Sequence, residues 1–137
     1  MNANGLGGLG HKEAIFKRVI GCGFDVSNEL GAGYFETVYE NALCLELKRH
    51  GLVFERQKHL NVRYRGQVVG RYVADIVVEN KLLVELKALS ALTKEHDAQV
   101  MNYLRATGLS VGLLLNFGTS RLGVRRLAWQ HDDVSNI

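Results

Sequence analysis

Residues 72–88 read YVADIVVENKLLVELKA. Two apolar runs flank Glu79-Asn80-Lys81, and three ionisable residues, Asp75, Glu85 and Lys87, interrupt them. A turn with Asn80 at its apex predicts a hairpin that sets Asp75 opposite Glu85, with Lys87 on the same face two residues further on. Two carboxylates facing each other across a ladder have Cβ atoms roughly 4.5–5.5 Å apart, which is unfavourable without a counter-charge. A divalent cation, helped by the lysine, removes that repulsion. The spacing D-x9-E-x-K therefore points to a metal site.

Outward from this hairpin the periodicity is legible in both directions. Lys81 to Ala88 is apolar on both faces apart from Glu85 and Lys87, so it belongs at the centre of a sheet. Val53 to Tyr64 alternates, with Leu60, Val62 and Tyr64 on one side. It joins Val68 to Glu79 through Arg65-Gly66-Gln67, with an interruption expected at Gly70. Upstream, Ile15, Val19, Cys22, Val26 and Leu30 follow a helical period, predicting a helix from His11 to Leu30 that ends at Gly31-Ala32-Gly33. A second helix is expected from about Tyr34 to His50, with Phe35, Val38, Ala42 and Leu45 on one face and Gly51 as its stop. Downstream, Thr93 suits an N-cap for a helix to Thr107, and Gly108 stops it. Val111 to Phe117 and Gly123 to Trp129 complete the strands. The order is α-α-β-β-β-α-β-β, an α/β domain expected over residues 11–129, with 1–10 a flexible leader and 130–137 a frayed tail.

The chain has 137 residues, 47% hydrophobic and 23% charged, the make-up of an ordinary globular domain. No apolar run approaches the ~18 residues that span a bilayer, and no secretory signal opens the sequence. Cys22 and Cys44 are too few for a disulfide framework and lack ligand spacing, so they read as buried thiols in a reducing, cytoplasmic setting. The formal charge of +3 permits an anionic partner, but the 17 lysines and arginines are scattered and do not by themselves identify one.

Carboxylates are what hard cations such as Mg²⁺ select, usually one or two per ion. Phosphodiester hydrolysis uses such an arrangement, with a nearby ammonium to stabilise added negative charge. A surface ion pair of Lys87 with Asp75 or Glu85 is the plain alternative. However, a Glu between Val84 and Leu86 in a central strand is costly to desolvate unless partnered. On the following helix, His96, Gln99 and Tyr103 share a face that could look onto the strand ends. Glu36 and Tyr39 sit one turn apart near the start of the second helix, where an acid also suits the helix dipole.

Gly33-Tyr34-Phe35-Glu36-Thr37-Val38-Tyr39 resembles the motif that names the GxxExxY family, a small-protein branch of the PD-(D/E)XK nuclease superfamily. The flanking text, LGAGYFETVYENAL, RYVADIVVENKLLVELKAL and HDAQVMNYLRATGLSVGLLLNFG, extends the resemblance from about Leu30 to Arg126. It implies a nuclease-like α-β-β-β-α-β core with a mixed central sheet, an added N-terminal helix and a C-terminal strand. By the same resemblance, Asp75, Glu85 and the Leu86 carbonyl would be metal ligands and Lys87 the catalytic lysine. Glu36 would be the acid from the first core helix, and Gln99 and Tyr103 resemble a Q-x3-Y motif that supports the lysine and contacts the strand being cut. Ala32 stands where a proline is usual, implying a slightly less rigid turn. Glu36 stands where the helicase-linked branch often has histidine, which leaves Mg²⁺ and Mn²⁺ both open.

The function implied is a Mg²⁺-dependent nuclease hydrolysing phosphodiester bonds of DNA by a metal-activated water, with Lys94 and Arg105 as candidate nucleic-acid contacts. Two other readings stay open: a nuclease-fold module that binds nucleic acid or a protein partner with little hydrolysis, and a subunit whose edge strands pair in a homo-oligomer.

Overall fold

The computed structural model describes residues 3–130, with side chains from residue 10 onward. The tail expected to fray lies, from residue 131, outside the described residues, as do the first two residues of the expected leader. The elements are α1 (Ala3–Leu30), α2 (Glu36–Arg49), β1 (Phe54–Tyr64), β2 (Gln67–Val78), β3 (Leu82–Lys87), α3 (Lys94–Thr107), β4 (Val111–Asn116) and β5 (Gly123–Ala128). Their order is the one expected.

The turn between β2 and β3 centres where the sequence places it. Glu79 and Asn80 both take positive φ, 54° and 55°, and Lys81 N–H closes the turn on the Val78 carbonyl at 2.9 Å. Left-handed glutamate is uncommon. Here the residue is tied down at both ends: its N–H donates to the Val53 carbonyl, and its carboxylate accepts from Val53 N–H at 2.7 Å. Ile76 pairs with Val84, Val77 with Leu83 and Val78 with Leu82, the register of a hairpin with Asn80 at its apex.

The sheet has strand order β1-β2-β3-β4-β5. Only the β3–β4 pair is parallel, joined by the α3 crossover; the other neighbours are antiparallel. β3 is the middle strand, and Leu82 through Leu86 are all buried. This explains why its sequence is apolar on both faces. The β1–β2 register slips by one residue next to Gly70, as expected of a bulge.

Helices cover both faces. One core joins Ile15, Phe16, Val19, Cys22 and Val26 of α1 and Tyr39, Leu43, Cys44 and Leu47 of α2 to Ile76, Val84, Leu86, Leu113 and Leu115 of the sheet. A smaller core beneath α3 joins Val100 and Leu104 to Tyr72, Ala74, Val77, Leu83 and Leu114. Each fully buried aliphatic side chain contributes roughly 1.5–3 kcal/mol. Both cysteines are free and buried.

Two expectations are corrected. α1 begins at Ala3 rather than at His11, so residues 3–10 of the expected leader are helical. Glycines cost a helix about 1 kcal/mol each, yet extending a helix that is already nucleated needs no new nucleus. The packed face of α2 is also not the one read from the sequence. Tyr39, Leu43, Cys44 and Leu47 turn inward, while Phe35 and Leu45 are 86% and 65% exposed. The sequence of α2 carries two apolar stripes, and the inward one also brings Glu36 and Glu40 to the end of the sheet.

The segment after β3 is held by β4. Asn116 is buried; its Oδ1 accepts from Leu89 N–H at 2.9 Å and Gly118 N–H at 3.1 Å, and its Nδ2 donates to the Leu89 carbonyl at 3.0 Å. A Cβ at position 118 would overlap the Leu89 backbone, so only glycine fits this crossing. Gly118→Ala is expected to lower the unfolding free energy in urea by about 2 kcal/mol. A denaturation midpoint equal to that of the unmodified chain would refute the packing described.

Candidate active site

The β2–β3 ladder stops at Ile76–Val84, and beyond it the strands are joined by side chains instead of backbone. Glu85 Oε2 accepts from the Asp75 N–H at 3.0 Å, and Asp75 Oδ2 accepts from the Leu86 N–H at 2.9 Å. Each carboxylate thus occupies the place of a ladder partner for the opposite strand. The expected facing of Asp75 and Glu85 is present in register, but as a splayed end rather than a continued ladder. A strand residue directs its N–H and C=O to the same side. Because Leu86 N–H points at Asp75, the Leu86 carbonyl opens into the same gap.

Burial sets the electrostatics. Glu85 is only 7% exposed, and desolvation, followed by the charge of Asp75, pushes its carboxyl up to about 7. Hydrogen bonds from Asp75 N–H and the Tyr72 hydroxyl, with the charge of Lys87, oppose that rise only in part. Asp75 is raised as well, mainly by burial, against the bond from Leu86 N–H. Glu36 is raised by burial and then by Asp75, and lowered by Lys87. Through these couplings Glu36 and Glu85 each feel Asp75 and Lys87 at the end of the sheet.

Glu36 reaches that point because its helix is pinned. Gly31 and Gly33 take φ of 70° and 115°, conformations that glycine adopts without strain. The buried Tyr39 hydroxyl donates to the Gly31 carbonyl at 2.6 Å and accepts from Tyr34 N–H at 3.2 Å. Its ring stacks on Phe117 with centroids 4.8 Å apart. The tyrosine of the G-x-x-E-x-x-Y stretch is thus the anchor of the turn that starts α2.

From α3, Tyr103 stacks on Tyr72, whose hydroxyl donates to Glu85 Oε2 at 3.0 Å. Gln99 lies one turn before Tyr103 on α3 and opposes the rise that burial gives the Tyr103 hydroxyl. Tyr103 also lines a cavity of about 660 Å³ between β1 and α3, with Asn61, Arg63, Asn102 and Arg105 among its walls. Arg105 lies over the Trp129 ring at 4.5 Å. Lys94 is exposed in the first turn of α3. His96 has a different task from the one its helical spacing suggested: its Nδ1 accepts from Thr93 N–H at 2.9 Å, closing a capping box.

Three neighbours escaped the sequence reading. Glu40, 6% exposed, is bonded by Arg56 and Gln57. Its signal was available, since like charges at i and i+4 on a helix are unfavourable without compensation. Tyr72 reads as an ordinary strand aromatic, and Gln57 as an exposed strand residue.

The donor types suit a hard cation: Asp75 and Glu85 each accept a backbone N–H from the other's strand, and among the described residues both hydrogen bonds to Glu85 fall on Oε2, leaving Oε1 for a ligand. Asp25, Glu46 and His50 also bring three donor atoms within 4.8 Å of one another. That group lies about ten residues further along α2, roughly 15 Å at 1.5 Å per residue, and its Glu46 already pairs with Arg49 and His50.

A sequence profile of the PD-(D/E)XK nuclease superfamily matches residues 13–127. Among solved structures, the chain is similar to the protein SSO0001, with a TM-score of 0.57 and 17% identity over 72% of this chain and 52% of that one. It is also similar, with a TM-score of 0.49 and 11% identity over 68% of this chain and 55% of the other, to an alkaline exonuclease from Laribacter hongkongensis. The chain spans about half the length of each. No curated protein matches. Among the described residues, no helix is long and apolar enough to cross a membrane.

Linkage fixes how the site acts on stability. With its pKa near 7 in the fold against an ordinary 4.5, Glu85 binds more proton folded than unfolded between those values. Stability without a cation therefore falls as pH rises through that window and stays low above it. Glu85→Gln keeps an oxygen for both hydrogen bonds and removes the charge. In EDTA at about pH 8 it is expected to raise the melting temperature by on the order of 5 °C and to flatten the fall below pH 7. A melting temperature equal to wild type at that pH would contradict the buried-charge account.

Proposed function

This chain belongs to the PD-(D/E)XK nuclease superfamily, and we propose that it is a metal-dependent nuclease hydrolysing DNA and a member of the GxxExxY branch, which Gly33, Glu36 and Tyr39 support. The observation that carries the reading is the splayed strand end, where Asp75 and Glu85 each accept a backbone N–H from the other's strand; the Leu86 carbonyl and Lys87 would complete the site. Mg²⁺, or Mn²⁺ in its place, would be held by those three groups, and when bound it supplies a Lewis acid for the phosphate and acidifies water.

The protein's own groups then divide the remaining work. Lys87 offers its ammonium to a phosphate oxygen as negative charge accumulates. Glu36, raised by burial and by Asp75, can orient a water and take up a proton from it. Tyr72 and Asp75 N–H hold Glu85 in place through Oε2, while Gln99, one turn away on α3, would steady Tyr103, which lines the β1–α3 cavity. Arg105 shares that cavity, and with Lys94 it would meet phosphate rather than bases, so contacts should be largely independent of sequence. Buried thiols at Cys22 and Cys44 fit a reducing, cytoplasmic setting.

A nuclease-fold module that binds without cutting is the alternative, and one assay separates the two. Purified protein is expected to cut a mixed panel of single- and double-stranded DNAs in Mg²⁺ or Mn²⁺. Asp75→Ala and Lys87→Ala should each lower the rate by roughly 10²-fold or more. DNA binding indifferent to EDTA, with no turnover in any metal, would overturn the proposal in favour of the module.

A further inference from the structure

Position 57 departs from what a strand permits. Gln57 lies within β1 with a φ of 48°, left-handed backbone that glycine enters freely and glutamine only at a cost. The β1–β2 pairing passes over it: Arg56 faces Ile76 and Lys58 faces Ala74, with no pair between Gln57 and Asp75. Across the same step the side-chain alternation reverses. Ala74 packs into the core beneath α3, whereas Ile76, two residues on, packs into the core beneath α1 and α2. The kink thus sits beside Asp75 and re-aims the strand that carries it.

A position needing only a kink is best served by glycine. The side chain present instead makes contacts that offset the strain. Gln57 Nε2 lies 3.1 Å from each oxygen of Glu40, and the residue falls opposite Asp75, between the Arg56–Ile76 and Lys58–Ala74 pairs, where its amide favours the charged form of the Asp75 carboxyl. Glu40 is fixed in turn by Arg56, with Nε at 3.2 Å and Nη2 at 3.0 Å from its Oε2. Carboxylates only accept hydrogen bonds, so two of them side by side need a donor between them. A neutral amide with two N–H groups meets that need and leaves both negative charges in place.

We infer that Gln57 is a positioning residue for Asp75: anchored on the Arg56–Glu40 pair, it holds the Asp75 carboxylate in its orientation toward the cation site. This rests on the reading of Asp75 as a metal ligand. Partners that orient a ligand in this way typically change metal affinity by about 10–100-fold when removed.

Two substitutions separate orientation from folding. Gln57→Gly removes the amide and relieves the left-handed strain, while Gln57→Met keeps the length and removes the donors. Mn²⁺ is titrated calorimetrically into the full chain, and melting temperatures are measured in EDTA, with Asp75→Asn as the reference for a lost ligand. Gln57→Gly is expected to melt at or above the wild-type temperature while its Mn²⁺ Kd rises about 10-fold or more, and Gln57→Met is expected to show the same weakening. Wild-type Mn²⁺ affinity in both variants overturns the inference and leaves the nuclease reading standing. Affinity that falls only in step with melting temperature makes the role structural and also overturns it. A wild-type chain that binds Mn²⁺ no better than Asp75→Asn removes the metal reading itself, and the inference with it.

Discussion

The reciprocal bonding of Asp75 and Glu85 is the constraint around which this molecule is arranged. Each carboxylate accepts a backbone N–H at or next to the other residue, at 3.0 and 2.9 Å, at the point where the β2–β3 ladder ends. The same bonds hold the strands apart and the acids together. Backbone N–H donors stabilise the charged form of a carboxylate, but they do not cancel the burial of Glu85, whose carboxyl remains near 7. A charge kept this close to neutrality in a central strand is poorly suited to stability alone and well suited to a cation.

The rest of the fold serves to hold that end of the sheet open on one side and rigid on the others. β3 is enclosed by β2 and β4 at its edges and by helices on its faces, so Glu85 cannot turn away to water. Tyr39 fixes the turn that starts α2 and thereby sets Glu36 beside Asp75. The stacked pair of Tyr72 and Tyr103 connects Glu85 to the cavity between β1 and α3. On the function proposed above, chemistry at the strand ends and contact with an extended polyanion along that cavity would share one wall.

Much of this was legible because it is local. Alternation in β1 and β2, continuous apolarity in β3 and β4, and the Thr93 and Gly108 boundaries of α3 all follow from backbone periodicity and capping chemistry. What was misread depended on packing between elements. The stripe of Phe35, Val38, Ala42 and Leu45 is as regular as that of Tyr39, Leu43 and Leu47, and only the rotation of α2 against α1 and the sheet selects the second. The same rotation buries Glu40, which sequence spacing left unremarked beside Glu36. His96 shares a helical face with Gln99 and Tyr103, yet capping at Thr93 satisfies it before it can reach the strand ends.

The sequence alone determined the order of the elements, the register of the hairpin about Asn80 and the grouping of two acids with a lysine, because pleat, turn and helical period are properties of neighbouring residues. Tertiary structure alone decided where the ladder stops, which side of α2 faces inward, and that Arg56 and Gln57 both bond Glu40. Those outcomes rest on sheet twist and on the relative rotation of packed elements, and both arise from contacts between residues far apart in the chain.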